Sequence, residues 1–192
     1  MKSEKIIIDD TGYNDDVLSK ITDRIKNGKI VIMPSDTVYG FLTVNSNEGK
    51  LRVIKKRDKK PFLFLISSFE DIGLLGAELE DHQMNILKKF WPGKVTFILS
   101  KKDGTTIGVR MPDWEVLRFI IKESGTPLLS TSVNYSGENA LANIENITGE
   151  FDDKVDLIVY DRFFHSANAS TIVDLTKKPY KVLREGSVHV EF

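Results

Sequence analysis

Lys29-Ile30-Val31-Ile32-Met33-Pro34-Ser35-Asp36-Thr37-Val38-Tyr39-Gly40 is the stretch on which the fold turns. Its first five residues form a short β-branched run that Pro34 ends, so they read as a buried strand. The strand hands over at once to a polar segment rich in hydroxyls. Just upstream, residues 15–27 carry Val17, Leu18, Ile21 and Ile25 at helical spacing, and Gly28 stands where a helix stops. A helix feeding a buried strand is the unit of a layered α/β chain.

The same alternation continues outward. Residues 48–57 predict a helix with Leu51 and Ile54 inward, and residues 61–66 a buried strand. Helix signals return over 69–75 and 80–90, where Trp91-Pro92-Gly93 breaks the second helix. Strands are predicted over 95–99 and 107–111, a helix over 113–122, and a strand over 128–131 that feeds a loop at Asn134-Tyr135-Ser136-Gly137. Strands over 157–160, 171–175 and 181–184 complete the pattern. Interleaved helices and strands imply an α/β (α+β layered) fold, a twisted mixed β-sheet with flanking helices. With no repeat or linker, residues 1–192 are expected to form a single domain. Several polar motifs are expected just after strand C-termini, where open α/β sheets bind ligands.

Composition excludes several function classes. Hydrophobic residues are 41% and charged residues 29% of 192, the profile of a globular chain. A net charge of −1 argues against a general nucleic-acid binder. Without cysteine there is no disulfide, thiolate metal site or Cys nucleophile, and His82, His165 and His189 lie far apart, unlike zinc ligands. The Ile6-Ile7-Ile8 run is too short for a signal peptide or a membrane span, so a cytoplasmic protein with no membrane contact is expected. Asn-x-Ser/Thr triplets at Asn134, Asn146 and Asn168 are chance matches in that setting.

Candidate site residues each admit two readings. Lys55-Lys56-Arg57 with Lys59 and Lys60 is a charge run, which is commonly a solvated face, but Lys55 and Arg57 could instead neutralise phosphates. Ser132-x-Asn134 before Ser136-Gly137 is turn-forming, yet both side chains can donate and accept at a phosphate or ribose. Arg110 could pair with a structural carboxylate or clamp a ligand's. Ser35, Thr37 and Tyr39 read locally as a capped turn, and Trp91 as a packing residue.

Taken in order, these segments resemble the YrdC-like family of threonylcarbamoyl-AMP synthases in its short, single-domain form. The resemblance is carried by Pro34 to Gly40, by Ile54-Lys55-Lys56-Arg57, and by Phe90-Trp91-Pro92-Gly93-Lys94-Val95-Thr96. It continues through Val109-Arg110-Met111-Pro112, Ser130-Thr131-Ser132-Val133-Asn134-Tyr135-Ser136-Gly137, Ser170-Thr171-Ile172-Val173-Asp174 and Leu183-Arg184-Glu185-Gly186. It implies a YrdC-like sheet without a C-terminal extension domain. It also implies an L-threonylcarbamoyladenylate synthase, a nucleotidyltransferase acting on ATP, L-threonine and bicarbonate and releasing pyrophosphate. Partner proteins would then use the product for threonylcarbamoyladenosine modification of tRNA.

By the same resemblance, Lys55, Arg57, Thr106, Ser132, Asn134 and Arg184 would bind ATP, and Ser35, Tyr39, Arg110, Ser130 and Ser170 would bind threonine. No catalytic nucleophile is implied. Magnesium accompanying the phosphates is expected on general grounds, without a dedicated ligand set. The chain departs from the family pattern after Arg57. Asp58 stands where a Pro is common, Pro61 comes one residue early, and Leu65 stands where many relatives carry His. Two rivals remain open. The segments Thr106-Ile107-Gly108-Val109-Arg110 and Arg184-Glu185-Gly186 lean toward the YciO branch, a paralogue without this activity. An RNA-binding module using residues 55–60 is the other, and a possible RNA contact follows from it.

Overall fold

A computed structural model describes residues 2–57, 60–165 and 168–191. Asp58 and Lys59, where the chain leaves the family pattern, lie outside the described residues. The elements are β1 (Glu4–Ile8), α1 (Asp15–Lys26), β2 (Val31–Met33), β3 (Gly40–Thr43), α2 (Glu48–Lys55), β4 (Leu63–Leu65), α3 (Asp71–Leu74) and α4 (Asp81–Phe90). Then follow β5 (Val95–Ser100), β6 (Thr106–Arg110), α5 (Glu115–Ser124), β7 (Leu128–Ser132), α6 (Ile144–Phe151), β8 (Leu157–Asp161), β9 (Thr171–Asp174) and β10 (Lys181–Arg184). The strands make one mixed ten-stranded sheet in the order β1-β8-β2-β3-β7-β4-β6-β5-β9-β10.

Helix α1 forms where the spacing predicted it. Asn14 caps it by accepting from the Val17 amide, Asp15 and Asp16 sit in its first turn and Arg24 and Lys26 in its last, matching the helix dipole. Helix α2 ends two residues short of the expected boundary. Lys56 adopts a left-handed conformation (φ 49°) and caps it. In a continuing helix, residues two apart point to nearly opposite sides. The cap instead sends Lys55 inward and lets Arg57 leave the helix for a loop. Helix α5 starts at Glu115, not at Asp113, whose amide is engaged elsewhere.

Alternation along the strands separates two faces. On β2 and β8, Val31, Met33, Leu157 and Val159 join Ile21 and Ile25 of α1 and Leu117, Ile120 and Ile121 of α5. Ile32 and Ile158 point the other way, onto Leu51 of α2 and Ile147 and Phe151 of α6. On β5 and β6, Val95, Phe97, Leu99, Ile107 and Val109 pack against Ile72 of α3 and Leu87 of α4. Their alternate residues Thr96, Ile98, Gly108 and Arg110 line an open cavity whose lining includes no helical residue. The helices α1 and α5 therefore cover only part of one face, and the uncovered part is the floor of the site. Ser35, Thr37, Asn134 and Ser136 line it from just past the ends of β2 and β7, as expected, while Thr96, Gly108, Arg110, Ser130 and Ser132 line it from the strands themselves.

Among the described residues, no helix is long and apolar enough to cross a membrane.

Candidate functional site: a guanidinium-rimmed cavity

The cavity has a volume of about 550 Å³ and brings together seven segments of the chain, from the β2–β3 loop to β10. Arg57, Arg110 and Arg184 line it, with Lys60 at its edge and Glu138 as the lining carboxylate. Ser35, Ser130, Ser132, Asn134 and Ser170 are there too. Nine of the eleven predicted site residues are thus accounted for by this hollow and its wall, counting Lys55 behind it.

Arg57 and Arg184 are aimed by carbonyl oxygens, and Arg110 by the Asp36 carboxylate. Arg57 donates from Nε to Lys60 O (3.1 Å) and from Nη2 to Pro61 O (2.7 Å), with its guanidinium 4.8 Å from the Phe62 ring centroid. Arg184 donates from Nε and Nη2 to Ser170 O at 3.2 and 2.7 Å. Burial, and then the charge of Arg110, lower the proton affinity of Arg184. Burial, and then Arg52, do the same to Arg57. Crowded, partly desolvated cations of this kind are relieved by a bound anion.

Lys55 sits behind the cavity wall. It is 1% exposed and does not line the cavity. Its Nζ donates to Ser132 O (2.5 Å), Asn134 O (2.8 Å) and Asn134 Oδ1 (2.7 Å), which uses all three ammonium protons. Burial, and then Arg57, pull its pKa down to about 7, while the three oxygens favour the charged form. Lys55 is therefore the bolt that holds the β7 loop in this structure. Within that loop Ser132 Oγ donates to Asn134 Oδ1 (2.8 Å) and Asn134 Nδ2 to Glu138 O (2.7 Å). The Ser132 hydroxyl thus faces the cavity as an acceptor, and Asn134 keeps one amide proton to give.

Hydroxyls complete the lining. Ser170 Oγ lies 2.8 Å from Thr96 Oγ1, and both are buried. Ser35 Oγ donates to Val38 O (2.7 Å) and accepts from the Thr37 amide (3.1 Å), so the capped-turn reading describes it correctly even as it lines the site. Gly186 fixes Ser170 from behind: a Cβ there would lie 2.2 Å from Ala169 O and 2.5 Å from Thr171 N. Gly186→Ala must push the segment that carries Ser170 and leads into β9, and is expected to destabilise the fold by about 1–3 kcal/mol, as overpacking does. A thermal melt of the variant checks this.

Two predicted residues lie elsewhere. Thr106 is exposed at the far end of β6 from Arg110 and lines a separate hollow with Glu48, Arg52 and Lys101, so the strand length itself keeps it from the cavity. Tyr39 is 2% exposed in the core behind the sheet, edge-on to Phe164, and burial raises its pKa to about 12. Strand alternation turns it away while Val38 and Gly40 face the cavity. It supports the site indirectly, as its carbonyl accepts from the Val133 amide (3.0 Å). Leu65 is buried in the core beside α5 and not in the cavity. The basic run is also divided, with Lys55 inward, Arg57 in the cavity, and exposed Lys56 4.2 Å from the Tyr135 ring centroid.

Residues missed by sequence reasoning are Asp36, which holds Arg110, and Thr96, which holds Ser170. Both stood inside quoted motifs, where their neighbours carried the chemistry. No group of three or more His, Asp or Glu able to hold a metal occurs among the described residues, and the cavity offers Glu138 amid arginines. These residues do not fit a protein-held magnesium.

Comparison with known proteins agrees with this fold. The family model covering Sua5, YciO and YrdC, described as telomere recombination, matches residues 23–186. The chain is 29% identical over 180 residues to the threonylcarbamoyl-AMP synthase of Pyrococcus abyssi, covering 87% of this chain and 53% of that protein. It thus spans about half the length of that curated relative. The structure of P. abyssi Sua5 complexed with L-threonine matches with a TM-score of 0.85 at 27% identity, over 96% of this chain and 58% of the other. YciO of E. coli matches with a TM-score of 0.86 over 98% of both chains at 21% identity, a likeness of fold. By the extent of the family match, the chain belongs to the Sua5/YciO/YrdC family.

Proposed function

We propose that the chain forms threonylcarbamoyl-AMP and pyrophosphate from ATP, L-threonine and bicarbonate, a nucleotidyl transfer. The carrying observation is one cavity lined by Arg57, Arg110 and Arg184 together with the hydroxyls of Ser35, Ser130, Ser132 and Ser170. A relative with this fold has been seen with L-threonine. In the proposed reaction, the threonine ammonium and bicarbonate give a carbamate, water and a proton. A carbamate oxygen then attacks the α-phosphorus of ATP, and the bond to the β-phosphate breaks with release of pyrophosphate.

Such a reaction needs positioning and charge neutralisation more than a covalent nucleophile. Arg110 meets the threonine carboxylate. Ser130 and the Ser170–Thr96 pair meet the amino acid's polar groups, and Ser35 lines this end. Arg57 and Arg184 neutralise phosphate charge, and the loop held by Lys55 presents Ser132 and Asn134. Magnesium, where required, arrives on the nucleotide. Partner proteins would carry the product's threonylcarbamoyl group to tRNA.

Calorimetric titration tests the binding half. L-threonine and a non-hydrolysable ATP analogue are expected to bind together, each one-to-one, and to survive high salt. Failure of both to bind overturns the proposal. The sequence likeness of residues 106–110 and 184–186 to the YciO branch favours a second reading, in which ligands bind but no product forms.

A further inference from the structure

Asp36 sits in the β2–β3 loop, facing Arg110 at the end of β6. The pair is almost sealed, with side chains 4% and 5% exposed. Asp36 Oδ1 accepts from Arg110 Nη1 at 2.5 Å, and Oδ2 accepts from the Asp113 amide at 3.1 Å. Both carboxylate oxygens are therefore committed. Arg110 is not so fully used. Its Nε is buried without a hydrogen-bond partner among the described residues, although the side chain lines the cavity. A buried N–H without an acceptor is destabilising until something accepts from it.

The guanidinium has two edges able to grip a carboxylate through parallel bonds. Asp36 takes only the Nη1 tip, a one-point contact, so the Nε–Nη2 edge is not consumed by a bidentate bridge to it. We propose that Asp36 is a positioning residue that fixes the Arg110 guanidinium at the cavity for an incoming carboxylate, and so makes the site select substrates bearing one. This rests on the reading above that an amino acid enters here. Asp36 also joins the β2–β3 loop to the segment between β6 and α5 through the Asp113 amide.

The test compares L-threonine with L-threoninol, which has a hydroxymethyl group in place of the carboxylate. Both are titrated into the full chain, its Asp36→Asn variant and its Asp36→Glu variant, below each variant's melting temperature. The natural chain is expected to prefer threonine by at least about tenfold, the scale of one charge-assisted contact. Asp36→Asn is expected to bring the two ligands to within about twofold, by weakening threonine alone. Asp36→Glu, which keeps the charge, is expected to retain a preference. In steady state, Asp36→Asn should raise the KM for threonine far more than it lowers kcat. An unchanged threonine-to-threoninol ratio in Asp36→Asn, with both ligands weakened together, marks a merely structural latch and overturns the assignment. A natural chain that binds neither compound overturns the amino-acid reading itself.

Discussion

Arg110→Met is expected to abolish measurable threonine binding, a loss of at least about 100-fold, and to destabilise the fold by about 3–5 kcal/mol. Two effects add. The ligand loses its cation, and Asp36, 4% exposed, is left charged and without its guanidinium. Removing one member of a buried ion pair costs more than removing both, because the orphan charge stays desolvated. Arg110→Met/Asp36→Asn should therefore melt higher than Arg110→Met alone while binding threonine no better. Calorimetry on the three proteins reads both outcomes. A double variant less stable than the single would show that the pair is not the closed unit that its burial implies.

Lys55→Met is the second large effect. It removes three hydrogen bonds and leaves the Ser132 and Asn134 carbonyls in a buried setting with no ammonium between them. Loss of order in that loop is expected to weaken ATP binding by about 10- to 100-fold, the cost of one or two charged hydrogen bonds. Threonine binding on its own should change much less. The same residue predicts a pH dependence. Its pKa is lowered to about 7, first by burial and then by Arg57, so its ammonium form prevails below that value and is lost above it. Neutral lysine has two protons for three oxygens. ATP affinity should fall as pH rises through about 7, and Lys55→Met should lose that part of the dependence. Titrations from pH 6 to 9 on both proteins check it; parallel curves would put the titrating group elsewhere.

Much of the fold was legible because strong periodicity survives in single sequence. Residues 15–27 and 29–33 carried helix and strand signals that tertiary packing had only to accept. The missed elements were short or disguised. Strand β1 offers one apolar triplet, β3 runs straight on from a polar motif, and α6 spans only eight residues and contains Thr148 and Gly149. The site was legible as a set of segments but not as roles. Spacing could not say that a left-handed Lys56 would bury Lys55 and free Arg57, nor that alternation would turn Tyr39 into the core. Asp36 and Thr96 were invisible for another reason: each acts on a neighbour across the sheet, 74 residues away in sequence.

One experiment bears most directly on the central claim. The chain is incubated with ATP, L-threonine and 13C-bicarbonate, and the products are followed by mass spectrometry together with pyrophosphate release. The account predicts threonylcarbamoyl-AMP carrying the label, formed one-for-one with pyrophosphate, and its loss in Arg110→Met. Threonine and nucleotide bound together with neither labelled adenylate nor pyrophosphate formed would contradict it.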